Sequence, residues 1–263
     1  MPELPEVESF RKYVEETSLK QEISGVSLRN EHQLLNTTKA ALTRALKGSK
    51  LTGTIRHGKF LFIRISKGGY LLLHFGLTGD IRYVDQDAEE PRFTAFMLEF
   101  KKGGMIAFTD SRQMGKVGLV DDAAKFLRKK GWGPDALQIT KEEFMDRFAN
   151  RRTNIKTALM NQKLVAGVGN EYSDEILFQA GLHPESRVDK LDKKMLENVF
   201  RLMKKILEKA VSVDADRDRL GKYFFLDNRK AGLECPRCGG KTEFKTVGGR
   251  SAYFCPHCQQ LVA

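Results

Sequence analysis

Two Cys-x-x-Cys pairs, Cys235/Cys238 and Cys255/Cys258, stand sixteen residues apart near the end of a 263-residue chain that has no other cysteine. Each pair turns two thiolates towards one side of a metal. Two such turns on facing hairpins complete a tetrahedral four-cysteine site, the usual arrangement for zinc. A redox pair would need only one such turn. Four protein ligands leave no open position, so one Zn2+ held here is expected to be structural. Arg250 lies in the stretch KTVGGRSAY between the pairs, near the expected hairpin tip. From there it can reach a phosphate or a base; a solvated loop arginine is the plain alternative.

The rest of the chain divides by hydrophobic period. Pro5 suits the first residue of a helix, and Val7, Phe10 and Val14 then recur on one helical face. From about Ile23 to Val120 the runs LTGTIRH, KFLFIRI, YLLLHF, DIRYV, FTAFMLEF and MIAFTD read as strands. Gly68-Gly69 and Gly103-Gly104 punctuate them as tight hairpins. An antiparallel meander closing into a sandwich or barrel is expected. Ala123 to Lys130 reads as a short helix, and GWGPDAL breaks the chain after it. Beyond that break the period is helical over 141–149, 154–162, 170–180 and 192–211, the last with an apolar stripe of Leu196, Val199, Met203, Ile206 and Ala210. The fold class expected is α+β and multidomain, with boundaries at 1–131, 132–228 and 229–263.

Charge narrows the partners. Forty-five Lys and Arg against thirty-four Asp and Glu leave a formal net charge of +11, which favours a polyanion. The basic residues are scattered and not gathered on one amphipathic helix, so nucleic acid is favoured over an anionic membrane. No run resembles a signal peptide or a membrane span, and MPELPEVESF carries three carboxylates. A cytoplasmic protein is expected, or a nuclear one in a eukaryote.

Two further motifs carry chemistry. In KLVAGVGNEYSDEILF, Gly167 and Gly169 precede a helix for which Asn170 fits as N-cap. Exposed amides at such a turn bind phosphate, and Lys156 and Lys163 lie nearby; a tight helix-turn-helix without a ligand is the simpler reading of Gly-x-Gly alone. At the other end, removal of Met1 would leave Pro2 with a free secondary amine. An α-amino group has a pKa of about 7.7–8.0, so it can serve as a neutral nucleophile and form an iminium with a sugar carbon. Glu3 and Glu6 place acid/base groups beside it.

Taken together, the opening MPELPEVE, the lysine of RHGKFL (Lys59), HFGLTGDIR, TDSRQMG, IKTALMNQKLVAGVGNEYSDEILF and the four-cysteine finger resemble the formamidopyrimidine-DNA glycosylase / endonuclease VIII family over nearly the whole chain. The resemblance implies an N-terminal β-sandwich flanked by helices, then a helix-two-turn-helix domain with a zinc finger. It implies a bifunctional DNA glycosylase and AP lyase of base excision repair. By matched position Pro2 is the nucleophile, Glu3 the general acid, Glu6 a second active-site glutamate, and Lys59 the lysine that holds phosphate and assists catalysis. Asn170 and Arg250 match a phosphate clamp, and His74, Lys156, Gly169 and Tyr172 join the DNA contacts. Leu77, Arg112 and Met114 match the residues that fill the gap left by a flipped nucleotide. The implied partner is double-stranded DNA with a damaged base or abasic site, bound by a monomer and needing no cofactor besides the zinc.

The match departs from the oxidised-purine branch at particular positions. Leu77 stands for the usual methionine and Met114 for a phenylalanine, and Ser111 and Gln113 replace proline and arginine. VSVDADRDRLGKYFF (211–225) is shorter and more charged than the loop that branch closes over a flipped base. Oxidised purines are the expected substrates, with oxidised pyrimidines, hydantoins and bulkier lesions as alternatives. A non-catalytic damaged-DNA-binding protein and an RNA-binding zinc ribbon are the rival classes.

Overall fold

A computed structural model describes residues 1–263. The chain forms two compact units, one of Met1–Pro2 with Glu6–Lys130, the other of Glu3–Pro5 with Gly131–Ala263.

The first unit is a sandwich of two sheets. Its strands are β1 (Ile23–Leu28), β2 (Leu34–Leu35), β3 (Leu51–His57), β4 (Phe60–Ile65), β5 (Tyr70–His74), β6 (Gly79–Val84), β7 (Thr94–Phe100), β8 (Met105–Asp110) and β9 (Lys116–Val120). One sheet runs β1-β7-β8-β6 and the other β2-β9-β5-β4-β3. The expected hairpins form at Gly68-Gly69 and Gly103-Gly104, but the whole is not a simple meander. β1 pairs with β7 and β2 pairs in parallel with β9.

Alternation along the strands explains the layers. Leu61, Ile63 and Ile65 of β4 join Leu71, Leu73, Ile81, Phe96, Leu98, Ile106 and Phe108 in the core between the sheets. Phe60 and Phe62 point the other way and meet Phe126 of helix α3 (Ala123–Lys130) at ring distances of 5.6 and 6.0 Å. Helix α1 (Leu4–Ser18) buries Val7 and Val14 in the same core, and the Tyr13 hydroxyl accepts from the Tyr83 amide on edge strand β6. Pro5 occupies the second helical position and not the first. Helix α2 (Lys39–Leu46), absent from the strand reading of 23–120, is capped by the Thr38 side chain and buries Leu42 and Leu46.

The second unit contains α4 (Lys141–Phe148), α5 (Ile155–Met160), α6 (Asn170–Ala180) and α7 (Lys193–Ser212), then hairpin β10 (Glu243–Val247) and β11 (Arg250–Phe254). Side chains start the helices: Thr140 with Glu143 as a capping box, Asn154, and Asp192. The α7 stripe is buried as its period required. α6 lies at the centre, with every residue from Tyr172 to Phe178 buried. Its Phe178 shares a small core with Phe225, Cys235 and Cys255, so the cysteine hairpins are packed onto this helix.

Candidate active site and nucleic-acid interface

Helix α6 begins without a side-chain cap of its own. Gly169, not Asn170, is its N-cap residue, and a glycine offers nothing to the first amides. Glu3 supplies the missing acceptor. Its fully buried carboxylate accepts from the Gly169 amide and, at 2.8 Å, from the Glu171 amide. A carboxylate at a helix N-terminus is favoured both by these bonds and by the helix dipole. The Leu4 amide donates to the Gly167 carbonyl at 3.1 Å. Gly167 has φ +120, and a Cβ there would lie 2.5 Å from Leu4 Cδ1. The Gly-x-Gly turn therefore receives the N-terminal segment. The Gly167 amide donates to Gln162 Oε1 and the Gly169 amide to Glu3, so these amides are not the phosphate cradle expected of them.

Pro2 is half-buried and covalently next to the anchored Glu3, with Glu6 half-buried on the first turns of α1. Lys59 stands in the β3–β4 turn. Arg56 braces that turn, donating from Nη1 to the Gly58 carbonyl at 3.2 Å and from Nε to Glu8 on α1 at 2.9 Å. His74 lies on β5, its ring 5.0 Å from that of Phe60. Burial, with the charges of Lys59 and Lys116, pulls its pKa down to about 4. It is a neutral imidazole at pH 7, and its Nδ1 accepts from the Gly76 amide at 3.3 Å, which leaves the proton on Nε2.

The expected gap-filling residues are displayed by two loops tied to one buried carboxylate. Asp110 accepts from Thr78 Oγ1 and the Gly115 amide, each at 2.6 Å, and from Gln33 Nε2 at 3.2 Å. Thr78 Oγ1 in turn accepts from the Arg112 amide. At Gly76, with φ +57, a Cβ would lie 2.6 Å from the backbone of Met114 and Gly115. On this base Leu77 is half-exposed, Arg112 is exposed and Met114 is 51% exposed.

In the second unit Asn170 Nδ2 donates to Ser251 Oγ at 3.0 Å, joining the start of α6 to the tip of the cysteine hairpin. Arg250 beside Ser251 is exposed. Two expected DNA contacts are corrected. Lys156 is fully buried and pairs with Asp174 at 2.6 Å, with further bonds to Ser173 Oγ and the Asn170 carbonyl. Burial lowers its pKa against the opposing pull of Asp174. Tyr172 is 2% exposed, turned into the helical core. Neither presents a group to a duplex.

Sequence reasoning missed the buried acids that organise this unit. Asp174 also takes Arg229 at 2.9 Å and the Tyr253 amide of β11. Glu175 accepts from the Phe225 and Leu226 amides at 2.6 and 3.1 Å, and burial pushes its pKa up to about 7. Two acids inside the apolar run YSDEILF were the available signal. They also account for the segment after α7. With Leu220, Phe225 and Leu226 buried and Arg217 paired to Glu171, residues 213–228 are tied down against α6, while Tyr223 stays 66% exposed.

The four cysteine sulfurs lie within 4.8 Å of one another, with Cys235–Cys258 at 3.8 Å and Cys238–Cys255 at 3.5 Å. A Zn–S bond of about 2.3 Å implies tetrahedral S–S edges of about 3.8 Å. The donor set fits one structural zinc.

Similarity to known proteins follows this geometry. Residues 1–117 match the formamidopyrimidine-DNA glycosylase N-terminal domain, 131–220 its H2TH domain, and 232–261 the zinc finger found in FPG and IleRS. The chain is 31% identical to the formamidopyrimidine-DNA glycosylase of Arabidopsis thaliana, over 99% of this chain and 71% of that protein. It is also 31% identical to that of Listeria innocua, over 99% and 100%. Among solved structures, Lactococcus lactis Fpg with abasic-site DNA superposes with a TM-score of 0.89 at 30% identity, covering 98% of this chain and 99% of that one. MutM with DNA containing carbocyclic 8-oxo-G gives 0.89 and 30%, covering 98% and 100%. No helix is long and apolar enough to cross a membrane. With all three domain types in order along one chain and the Listeria relative matched over its full length, the protein belongs to the formamidopyrimidine-DNA glycosylase family.

Proposed function

We propose that the chain excises oxidised bases from double-stranded DNA and cleaves the strand at the resulting site, using Pro2 as nucleophile. The observation that carries this reading is the anchoring of Glu3 on the Gly169 and Glu171 amides. It holds the residue next to Pro2 at a defined place, as a nucleophile and its acid/base partner require.

Removal of Met1 frees the Pro2 amine. Its lone pair attacks C1′ while the C1′–N bond breaks, and the base leaves with that electron pair and a proton relayed from Glu3. Glu3 then takes the proton from the Pro2 nitrogen and passes it to O4′ as the C1′–O4′ bond opens, which leaves Pro2 and C1′ joined as an iminium. The iminium makes the 2′ proton acidic; its loss expels the 3′ phosphate, and a second elimination expels the 5′ phosphate. Water releases the sugar fragment and restores the amine. Glu6 serves the same proton traffic, and Lys59 and neutral His74 hold a phosphate at the sandwich end. Leu77, Arg112 and Met114 fill the gap left by the flipped nucleotide, and Asn170 with Arg250 grips the backbone. The zinc keeps the hairpin folded and takes no part in these steps.

Residues 1–131 supply the catalytic part, 132–228 the helix-two-turn-helix part and 229–263 the finger. The protein acts where DNA is held, the bacterial cytosol or a nucleus. The compact 213–228 segment supports a second reading on specificity. Its ties to Glu171 and Glu175 leave little free chain to fold over a base, which favours ring-opened purines, hydantoins or oxidised pyrimidines over 8-oxoguanine. Duplexes carrying each lesion, with released base and cleavage ends measured, test both readings. Strand cleavage leaving phosphate at both ends is expected, and ranking of the lesions decides the second. An abasic duplex left intact overturns the first.

A further inference from the structure

An aromatic side chain that the mechanism above does not use stands at the same end of the sandwich as the gap-filling loops. Phe93 precedes β7, is 58% exposed, and has φ +63. Both features work against stability. A bulky side chain in the left-handed region is strained, and an exposed ring gains little from burial. The backbone is nevertheless firmly held there. The Thr94 amide and hydroxyl both donate to the Pro91 carbonyl, at 3.3 and 2.7 Å. The Phe93 carbonyl accepts from the Asp110 amide at 2.9 Å.

Asp110 is the residue whose carboxylate ties the Leu77 and Met114 loops together. Phe93 is thus one hydrogen bond from the anchor of that surface, and its neighbour Thr94 pairs with Thr109 across the ladder. The Arg92 guanidinium lies 5.2 Å from the ring centroid, giving the ring a cationic companion as sites that stack on nucleobases often do. Met114, the exposed side chain of the neighbouring loop, is flexible and has no flat face to offer.

We propose that Phe93 stacks on a base next to the lesion, with Arg92 facing the adjoining phosphate, so that the flat contact comes from the turn before β7 and not from the 111–115 loop. This rests on the reading of the chain as a lesion-duplex enzyme. The ligand is the π-face of an unstacked base, which only a kinked or gapped duplex exposes.

Binding of the full-length zinc-loaded protein would be measured to an intact duplex and to one carrying a tetrahydrofuran abasic analogue beside 2-aminopurine. Variants Phe93→Ala, Phe93→Asn and Phe93→Trp would run alongside. Stacking on one base is worth a factor of roughly 5 to 150 in affinity. Phe93→Ala and Phe93→Asn are expected to lose that factor on the abasic duplex only, and to lose the change in 2-aminopurine emission. Phe93→Trp should keep both. Phe93→Asn, which tolerates the left-handed backbone, should melt no lower than the parent. Equal binding by Phe93→Ala and the parent, or equal loss on both duplexes, overturns the proposal while the parent still prefers the abasic duplex. A parent chain without that preference overturns the underlying reading, and the proposal with it.

Discussion

The Glu3 carboxylate and the Glu171 amide, 2.8 Å apart, join the third residue of the chain to the first turn of its central helix. The bond stands in for a cap that the sequence of α6 lacks. Replacing Glu3 by Ala leaves two buried amides without an acceptor, at roughly 1–3 kcal/mol each. Glu3→Ala is therefore expected to lower the melting temperature as well as abolish base release, whereas Pro2→Gly should weaken trapping with little change in melting. Calorimetry on the two variants distinguishes them.

Lys156 and Arg250 should part company in a salt titration. Arg250→Ala removes a backbone contact and should reduce the slope of log affinity against log salt by about 0.9. Lys156→Met removes the buried partner of Asp174 Oδ1 while Arg229 still pairs with Oδ2, so the cost falls below the roughly 3–5 kcal/mol of a buried charge left alone. It should unfold at lower denaturant while the slope, measured where it remains folded, stays unchanged.

Two buried groups give opposing pH dependences. His74, with its pKa lowered from 6.5 to about 4, resists charging in the folded state; its contribution is present above pH 6.5 and is lost as pH falls towards 4. Glu175, raised from 4.5 to about 7, resists ionisation; its contribution is present below pH 4.5 and is lost as pH rises through 7. Relative to the parent, His74→Gln should gain stability on the acid side and Glu175→Gln on the alkaline side. Urea midpoints at pH 4.5, 6 and 8 check both signs.

Removal of the zinc should reach beyond the hairpin, because Cys235 and Cys255 pack with Phe178 of α6 and Phe225. A chelator, or Cys238→Ser, is expected to lower the melting temperature and weaken duplex binding together. Loss of binding with unchanged melting would mean that the finger folds apart from α6.

Local signals in this chain were legible and long-range ones were not. The strands LTGTIRH and MIAFTD and the helices over 123–130 and 170–180 follow from period and turn residues. The sheet order does not, because β1 finds β7 and β2 finds β9 across most of the sandwich. α2 was legible in Thr38 with Leu42 and Leu46 but is short beside the strands around it. Asn170 has the composition of an N-cap, yet the acceptor comes from Glu3 at the far end of the chain. Lys156 reads as a surface charge because lysine is rarely buried; its partner Asp174 lies eighteen residues on, on another helix. The proposed nucleophile and wedge positions and the four cysteines came from motifs, while Asp110, Asp174 and Glu175 emerged only from packing.

The most direct test is borohydride trapping on a duplex with one abasic site, followed by mass spectrometry of the adduct. The expected result is a covalent adduct on the Pro2 nitrogen, made by protein lacking Met1 and weakened in Pro2→Gly. An adduct on a lysine, or none from protein shown to lack Met1, would contradict the assignment of Pro2 as nucleophile.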